Sequence, residues 1–190
     1  MLSIKQLLLG ISLIGTASLA YSLELGGSLD KLSVPSKGEL IIDGKLISYK
    51  PWSTDSIKTG SPALIFHMAA RMSSEQIIDP LRKKLDEKNY TPGTFQPITV
   101  VNLDDAMWGT AGIIGGELEK NKRAHPSAIL VADESGRGLK AWQLKGNGVT
   151  VVLLNSSGKI VYLKEGKLSD SDVNTIITKL NNEIARVASN

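Results

Sequence analysis

The stretch from Ala63 to Leu85 constrains the fold of this chain more than any other. It begins with an apolar run, Ala63–Met68, in which polar and apolar side chains do not alternate. Such a run is typical of a strand buried on both faces, as in a parallel sheet covered by helices. The apolar positions that follow have the spacing of one helix face, and they are Ile77, Ile78, Leu81 and Leu85. The sequence therefore predicts a buried strand that leads through a polar loop into an amphipathic helix.

Two positions shape the predicted helix. Ser73 is a suitable N-cap, and Gln76, three residues later, completes the pattern of a capping box. Pro80 lies inside the helix and should kink it, because proline removes one backbone hydrogen bond and crowds the preceding turn.

The remaining elements place this unit in a mixed sheet. Asp43-Gly44 lies between two β-prone runs and predicts an N-terminal hairpin. The later segments are strands at Pro97–Leu103 and Ala128–Ala132, a helix at Gly112–Arg123, a hairpin of Val149–Leu154 with Lys159–Leu163, and a final helix capped by Ser169. Strands joined by helices imply parallel crossovers, and the late hairpin adds antiparallel pairing. We predict an α/β fold with a mixed central sheet flanked by helices, in one domain over residues 21–190.

The first twenty residues have the pattern of a secretory signal. Lys5 supplies a positive charge, and Leu7–Ala20 is uncharged and rich in Leu and Ile. Ser18-Leu19-Ala20 places small residues at the positions that signal peptidase requires. The uncharged run is shorter than the ~20 residues that a membrane-spanning helix needs, which argues against an anchor. We therefore predict cleavage after Ala20 and export to a bacterial periplasm.

Composition excludes several kinds of chemistry. The chain contains no cysteine, so thiol–disulfide exchange and cysteine-based peroxidase activity are excluded. Lys and Arg number 22 against 19 Asp and Glu, and this small excess does not point to a polyanionic partner. The basic runs Arg82–Lys84 and Lys120–Arg123 lack interleaved aromatic residues, so they indicate solvated helix faces rather than a nucleic-acid surface.

No cofactor or metal site is predicted. Gly109, Gly112 and Gly115 resemble a dinucleotide-binding fingerprint but lack its spacing, and we interpret them as a flexible, close-packing turn. A metal site would have only two histidines to use, no cysteine and no EF-hand pattern.

The loop before the predicted helix is the first candidate binding site. Ser73 and Ser74 lie at the helix N-terminus, where exposed N–H groups favour carboxylate, phosphate or another anion, and Arg71 adds a positive charge. The alternative is that Ser73 is only a cap and Arg71 only a surface residue.

Residues at the ends of two strands form the second group of candidates. His67 lies in the central strand, and Asp104-Asp105 follow the next parallel strand toward the same edge of the sheet as the Arg71 loop. There the two aspartates could bind a cation or accept hydrogen bonds from a partner peptide. A hydrolase would require His67, Ser73 and Asp104 within hydrogen-bonding distance of one another. The alternatives are that His67 is a satisfied core residue and that the two aspartates are turn and capping residues. Trp108 could stack on a bound partner or belong to the core.

The order of elements resembles the thioredoxin superfamily, in particular its TlpA-like and peroxiredoxin-like branches. In those proteins a cysteine precedes the helix-kinking proline, and counting back from Pro80 places Met72 at that position. The segments His125–Trp142 and Gly148–Gly166 are similar to the paired D-x-x-G strands of TlpA-like proteins. Those proteins also carry a cis-proline before the last hairpin, and this chain has Gly148-Val149-Thr150 there instead.

Five short segments, in order and spacing, are similar to the YtfJ family, small exported proteins of Gram-negative bacteria with a thioredoxin-like fold. They are SYKPW (Ser48–Trp52), HMAARMSSE (His67–Glu75), VVNLDDA (Val100–Ala106), LEKNK (Leu118–Lys122) and KAWQL (Lys140–Leu144). The family's molecular activity is uncharacterised, so the resemblance implies a fold and a compartment but no reaction. It also implies that the groove which thioredoxin-like proteins use for extended peptides is retained. We therefore expect a non-enzymatic module that binds a periplasmic protein, a peptide or a small anion, with the cysteine-independent hydrolase as the alternative.

Overall fold

A seven-stranded mixed sheet forms the centre of the computed structural model, which describes residues 23–106, 111–146 and 148–189. The strands are β1 (Ser33–Asp43), β2 (Leu46–Ser53), β3 (Ala63–Ala69), β4 (Gln96–Asn102), β5 (Ile129–Asp133), β6 (Val149–Leu154) and β7 (Ile160–Glu165). The helices are α1 (Met72–Lys88), α2 (Ala111–Ala124), α3 (Arg137–Ala141) and α4 (Asp170–Ala188). The strand order is β2-β1-β5-β4-β3-β6-β7. The predicted signal segment lies outside the described residues.

Strand β3 lies between β4, with which it is parallel, and β6, with which it is antiparallel. All seven of its residues are buried, which confirms the strand predicted from the apolar run. Alternate side chains enter two cores: Leu64 and Phe66 join the one covered by α1 and α4, while Ile65 joins the one that contains Trp142. The absence of polar alternation in the sequence therefore reflects burial on both faces.

Both predicted hairpins are present. Strands β1 and β2 are joined through Gly44, whose φ is +56°, and β6 pairs antiparallel with β7. The sequence did not predict that β1 also contains an irregularity at Gly38, whose φ is +79°. A β-carbon on Gly38 would collide with the carbonyl oxygen of Lys50. This kink accompanies the antiparallel pairing of β1 with β5, through which the hairpin joins the main sheet.

Helix α1 begins earlier than the sequence predicts. Its first residue is Met72, and Arg71 occupies the N-cap position with an extended backbone and a side chain that makes no capping hydrogen bond. The predicted cap at Ser73 and its capping box with Gln76 are therefore wrong. The cause is the tight connection from β3, because the Ala70 amide donates to the Asn102 carbonyl at 3.1 Å and the Arg71 amide to the Ala69 carbonyl at 2.8 Å. These bonds turn the chain into the helix before Ser73 is reached.

Helix α4 begins where it was predicted. Ser169 caps it, and its side chain and that of Asp172 each accept from the other's backbone amide in a reciprocal capping box. The hydrogen bonds from the Ser169 hydroxyl and amide hold the pKa of Asp172 well below its usual range. Within the described ranges, no helix combines the length and apolar character that crossing a bilayer requires.

The glycines of α2 do not pack closely. Among the described residues, a β-carbon placed on Gly112 or Gly115 would meet no atom within 4 Å outside the adjacent backbone of its own helix, so the interpretation as a close-packing turn is wrong for these two residues. They belong to a regular helix, and Gly109 lies outside the described residues. Their effect on the helix is to lower its intrinsic stability, since glycine is a poor helix former.

Replacing the exposed Gly116 of α2 by alanine should stabilise the protein by about 0.5–1 kcal/mol, because the space around its β-carbon is open and glycine loses more backbone entropy on folding. Urea unfolding measures the change. The matched control is Gly38→Ala, which should destabilise by at least about 2 kcal/mol, because the positive φ and the Lys50 carbonyl both oppose a side chain. Destabilisation by Gly116→Ala would show that α2 needs glycine for another reason.

Candidate functional site

Three buried polar residues lie at the carboxyl ends of the parallel strands. His67 of β3, Asn102 of β4 and Asp133 of β5 are 3%, 1% and 0% exposed. Asn102 is opposite Asp133 in the register, and His67 is opposite Thr150 of β6, which is also buried. Because side chains alternate along a strand, all four share the sheet face that carries Trp142. The sequence thus builds a polar row at the edge where open α/β sheets place their ligands.

His67 is enclosed by helix α3 and the residue after it. A β-carbon on Gly138 would lie 2.8 Å from the imidazole Cδ2 and 3.0 Å from Nε2, and the Trp142 ring meets the imidazole edge-on at 5.9 Å. Burial lowers the pKa of His67 to about 4, and the charges of Asp133 and Asp105 oppose this shift only in part. His67 is therefore a neutral imidazole at neutral pH.

Asp133 fixes the helix that covers His67. Its carboxylate accepts from the Gly138 amide at 2.8 Å and from the Ser135 amide at 3.3 Å. These bonds hold α3 against the sheet at the glycine that permits its close approach to His67. The fully buried carboxylate is thus stabilised by backbone donors.

Arg71, Asp104 and Asp105 meet at this edge, as the sequence predicts for the ends of neighbouring parallel strands. The Arg71 Nε donates to the Asp105 backbone carbonyl at 3.2 Å. The Asn102 side chain donates to the Asp105 carboxylate at 2.8 Å and accepts from the Asp104 amide at 3.0 Å. Asn102, rather than either aspartate, is therefore the residue that caps the short 3₁₀ turn after β4.

The two candidate serines, Ser73 and Ser74, differ in burial. Ser73 is exposed, whereas Ser74 is 1% exposed and its hydroxyl oxygen has no hydrogen-bond partner among the described residues. The His67 Nε2 is also buried without a partner in that set. A Ser-His-Asp relay needs both ring nitrogens of the histidine engaged, so the described residues do not assemble the His67, Ser73 and Asp104 arrangement. Trp108, the remaining candidate, lies outside the described residues.

Among the described residues, Met72 is the most exposed large apolar residue at this edge. It is the first residue of α1 and is 79% exposed. Ile113, in the first turn of α2, is 71% exposed. Helices α1 and α2 both follow the carboxyl ends of parallel strands, so both helix starts face the same edge of the sheet. We refer to Arg71, Met72, Asp104, Asp105 and Ile113 as the helix-start surface.

Sequence reasoning identified part of this site. It placed Arg71 beside the two aspartates but missed Asn102, Asp133 and Gly138. The spacing of Asp133 from Gly136 and Gly138 was the available signal, because an aspartate that ends a strand commonly accepts amides of the following turn. Among the described residues, no three His, Asp or Glu side chains converge in a way that could hold a metal ion.

The central β3–α1 unit, the mixed sheet and the terminal hairpin with its helix define a thioredoxin-like fold. Among solved structures, the chain superposes on the thioredoxin domain of a thiol-disulfide oxidoreductase from Bacteroides vulgatus with a TM-score of 0.53. That match covers 84% of this chain and 99% of the other at 19% sequence identity, a level that shows the fold alone. The similarity does not extend to thiol chemistry, because this chain has no cysteine.

The chain belongs to the family described as "Bacterial protein of unknown function (YtfJ_HI0045)", whose model matches residues 23–183. An uncharacterized protein of Haemophilus influenzae is 30% identical over 162 residues, which cover 85% of this chain and 88% of the relative. The uncharacterized protein YtfJ of Escherichia coli K12 is 28% identical over 176 residues, which cover 93% and 95%. The resemblance inferred from five short segments is confirmed.

Proposed function

We propose that this protein is a periplasmic binding module without enzymatic activity, and that it holds an extended peptide segment of another protein on the helix-start surface. The retained thioredoxin-like fold supports a peptide site at this edge, and the lack of cysteine leaves binding without thiol exchange. The N-terminal pattern of residues 1–20 supports export. Sequencing of the protein released by osmotic shock should begin at Tyr21.

The exposure of Met72 is the observation that carries the proposal. A methionine that is 79% exposed at the first position of a helix adds nothing to the core, and its flexible thioether side chain adapts to varied apolar partners. Arg71 beside it presents a guanidinium, and the first turn of α1, which the Arg71 side chain does not cap, presents backbone N–H groups. An apolar contact, a cation and free donors together suit a peptide that carries an apolar side chain and a carbonyl or carboxylate.

Peptide display against the purified mature chain tests the proposal. Enriched peptides should bind in fluorescence anisotropy, and Met72→Glu should weaken that binding about tenfold or more, because a buried apolar contact is replaced by an unpaired charge. The matched control is Lys83→Glu, an exposed position of the same helix, which should leave the affinity unchanged. Hydrolase substrate screens should show no turnover.

Two results would contradict this function. If Met72→Glu and wild type bind the peptide with equal affinity, the peptide does not bind on the helix-start surface. A specific turnover that His67→Ala abolishes would favour the hydrolase alternative over the binding module.

A further inference from the structure

A second site lies away from the helix-start surface, in a cleft between α1 and α2. The cleft has a volume of about 750 Å³ and runs beside α1 from Glu75 to Asp86 and beside the carboxyl half of α2. Its walls include Arg82 and Tyr90 on the α1 side and Leu118 and Lys122 on the α2 side. This volume is within the ~300–1,000 Å³ typical of small-molecule sites. The cleft was not predicted from the sequence, because it depends on how far apart two helices lie on the sheet.

The floor of the cleft is the sheet itself. Thr99, at the middle of the central strand β4, is only half-buried, although its neighbours Ile98 and Val100 are buried on the other face. Around it lie apolar side chains of the core that α1 and α4 cover, namely Phe66, Ile78, Val101, Leu118 and Leu130. Tyr90 and Phe95 form one aromatic wall, with their rings edge-on at 5.3 Å. An occupant would therefore contact mostly hydrocarbon and aromatic surface.

Lys122 places a buried cation on the wall of this cleft. The residue is 6% exposed, and its ammonium donates to the backbone carbonyls of Pro126, at 3.1 Å, and Ala128. An ammonium has three N–H donors, so the two carbonyls leave one N–H of Lys122 available for a further acceptor. No carboxylate of the described residues pairs with Lys122 within 4.0 Å.

The surrounding charges leave this end of the cleft positive. Glu39, the acid that attracts Lys122, already forms an ion pair with Lys50 at 3.2 Å. One carboxylate thus faces two ammonium groups, and burial lowers the pKa of Lys122. A desolvated cation without an anionic partner is costly, and an anion bound in the cleft would offset that cost.

We propose that the cleft binds a small monoanionic amphiphile, a carboxylate on an apolar body of roughly eight to twelve carbons. The carboxylate accepts the remaining N–H of Lys122, and the apolar body lies over Thr99 against the aromatic wall. None of the residues of the helix-start surface lines the cleft, so this site is separate from the peptide surface at Met72.

Titration of the mature chain with octanoate, followed by backbone-amide NMR, tests this proposal. Octanoate should shift the amides that surround the cleft, with saturation below about 1 mM. Two ligands with the same alkyl group serve as controls: 1-octanol, which is uncharged, and octyltrimethylammonium, which is positive. Each should bind at least about tenfold more weakly than octanoate, because neither can form the charge-assisted hydrogen bond.

Two substitutions address the two halves of the site separately. Lys122→Met removes the cation but keeps an unbranched side chain of nearly the same length, and Thr99→Phe keeps the cation but fills the floor. Each should weaken octanoate binding about tenfold or more, whereas Lys83→Met, on the outer surface of α1, should not change it. Circular dichroism reports whether each variant folds. If Lys122→Met does not fold, octanoate binding by Thr99→Phe tests the site.

The proposal is overturned if octanoate at 10-fold the expected saturating concentration leaves the cleft amides unshifted, if 1-octanol binds as well as octanoate, or if Thr99→Phe binds octanoate like wild type. None of these results bears on peptide binding at Met72, so failure of one site is distinguishable from failure of the other.

Discussion

Acidification from pH 7 to pH 4 should lower the free energy of unfolding by about 3 kcal/mol through His67 alone. The pKa of His67 in the folded protein is about 4, against an ordinary value of 6.5. The unfolded chain therefore binds a proton at His67 before the folded chain does. Stability from the buried neutral imidazole is complete above pH 6.5 and is lost as the pH falls toward 4.

Urea unfolding of wild type and of His67→Gln across this range measures the contribution. Carboxylates also titrate here, so the relevant quantity is the difference in pH dependence between the two proteins, which should be about 3 kcal/mol. The chain offers a matched control in His125, its second histidine, which is exposed. His125→Gln controls for the loss of a histidine away from the buried site of His67. An unchanged pH dependence in His67→Gln would show that the imidazole is solvated in the folded protein.

Replacing Trp142 by alanine should cost about 3–5 kcal/mol, the largest effect expected from a single core substitution here. Trp142 is fully buried, packs edge-on against His67 and donates from its indole nitrogen to the Asp30 carbonyl at 2.9 Å. The substitution therefore opens a cavity beside the polar row and releases the segment before β1. Urea unfolding measures the loss, and hydrogen exchange should show greater opening around residues 28–32.

Phenylalanine variants separate the hydrogen bond from the packing. Trp52 is also buried, at 3% exposure, but its indole nitrogen has no partner among the described residues. Trp142→Phe should therefore cost about 1 kcal/mol more than Trp52→Phe, because only the former leaves a carbonyl unpaired. Equal costs for the two variants would contradict this assignment.

Much of the fold follows from local patterns in the sequence. The apolar run of β3, the Asp-Gly hairpin and the Ser169 cap each depend on a few adjacent residues, and each is confirmed. The Arg71 and Asp105 contact was predictable because parallel strands end at a common edge.

The errors arise where distant segments decide the local structure. Helix α1 starts at Met72 rather than after Ser73 because the Ala70 amide bonds to Asn102, a residue of another strand. His67 lies on the face beneath α3, and the sequence could not assign that face because both sides of β3 are apolar. The cleft at Thr99 depends on helix spacing, for which no local pattern exists.

The sheet order has a consequence for how the chain is made. The β1–β2 hairpin is a local structure that forms within microseconds, yet its neighbour β5 begins only at residue 129. Because the chain emerges from its amino end, the hairpin is complete before β5 is available, and one long β1 edge stays unpaired until then. The twist at Gly38 makes that edge a poor template for a second nascent chain, so the same kink that fits the hairpin to β5 protects it from aggregation until β5 arrives.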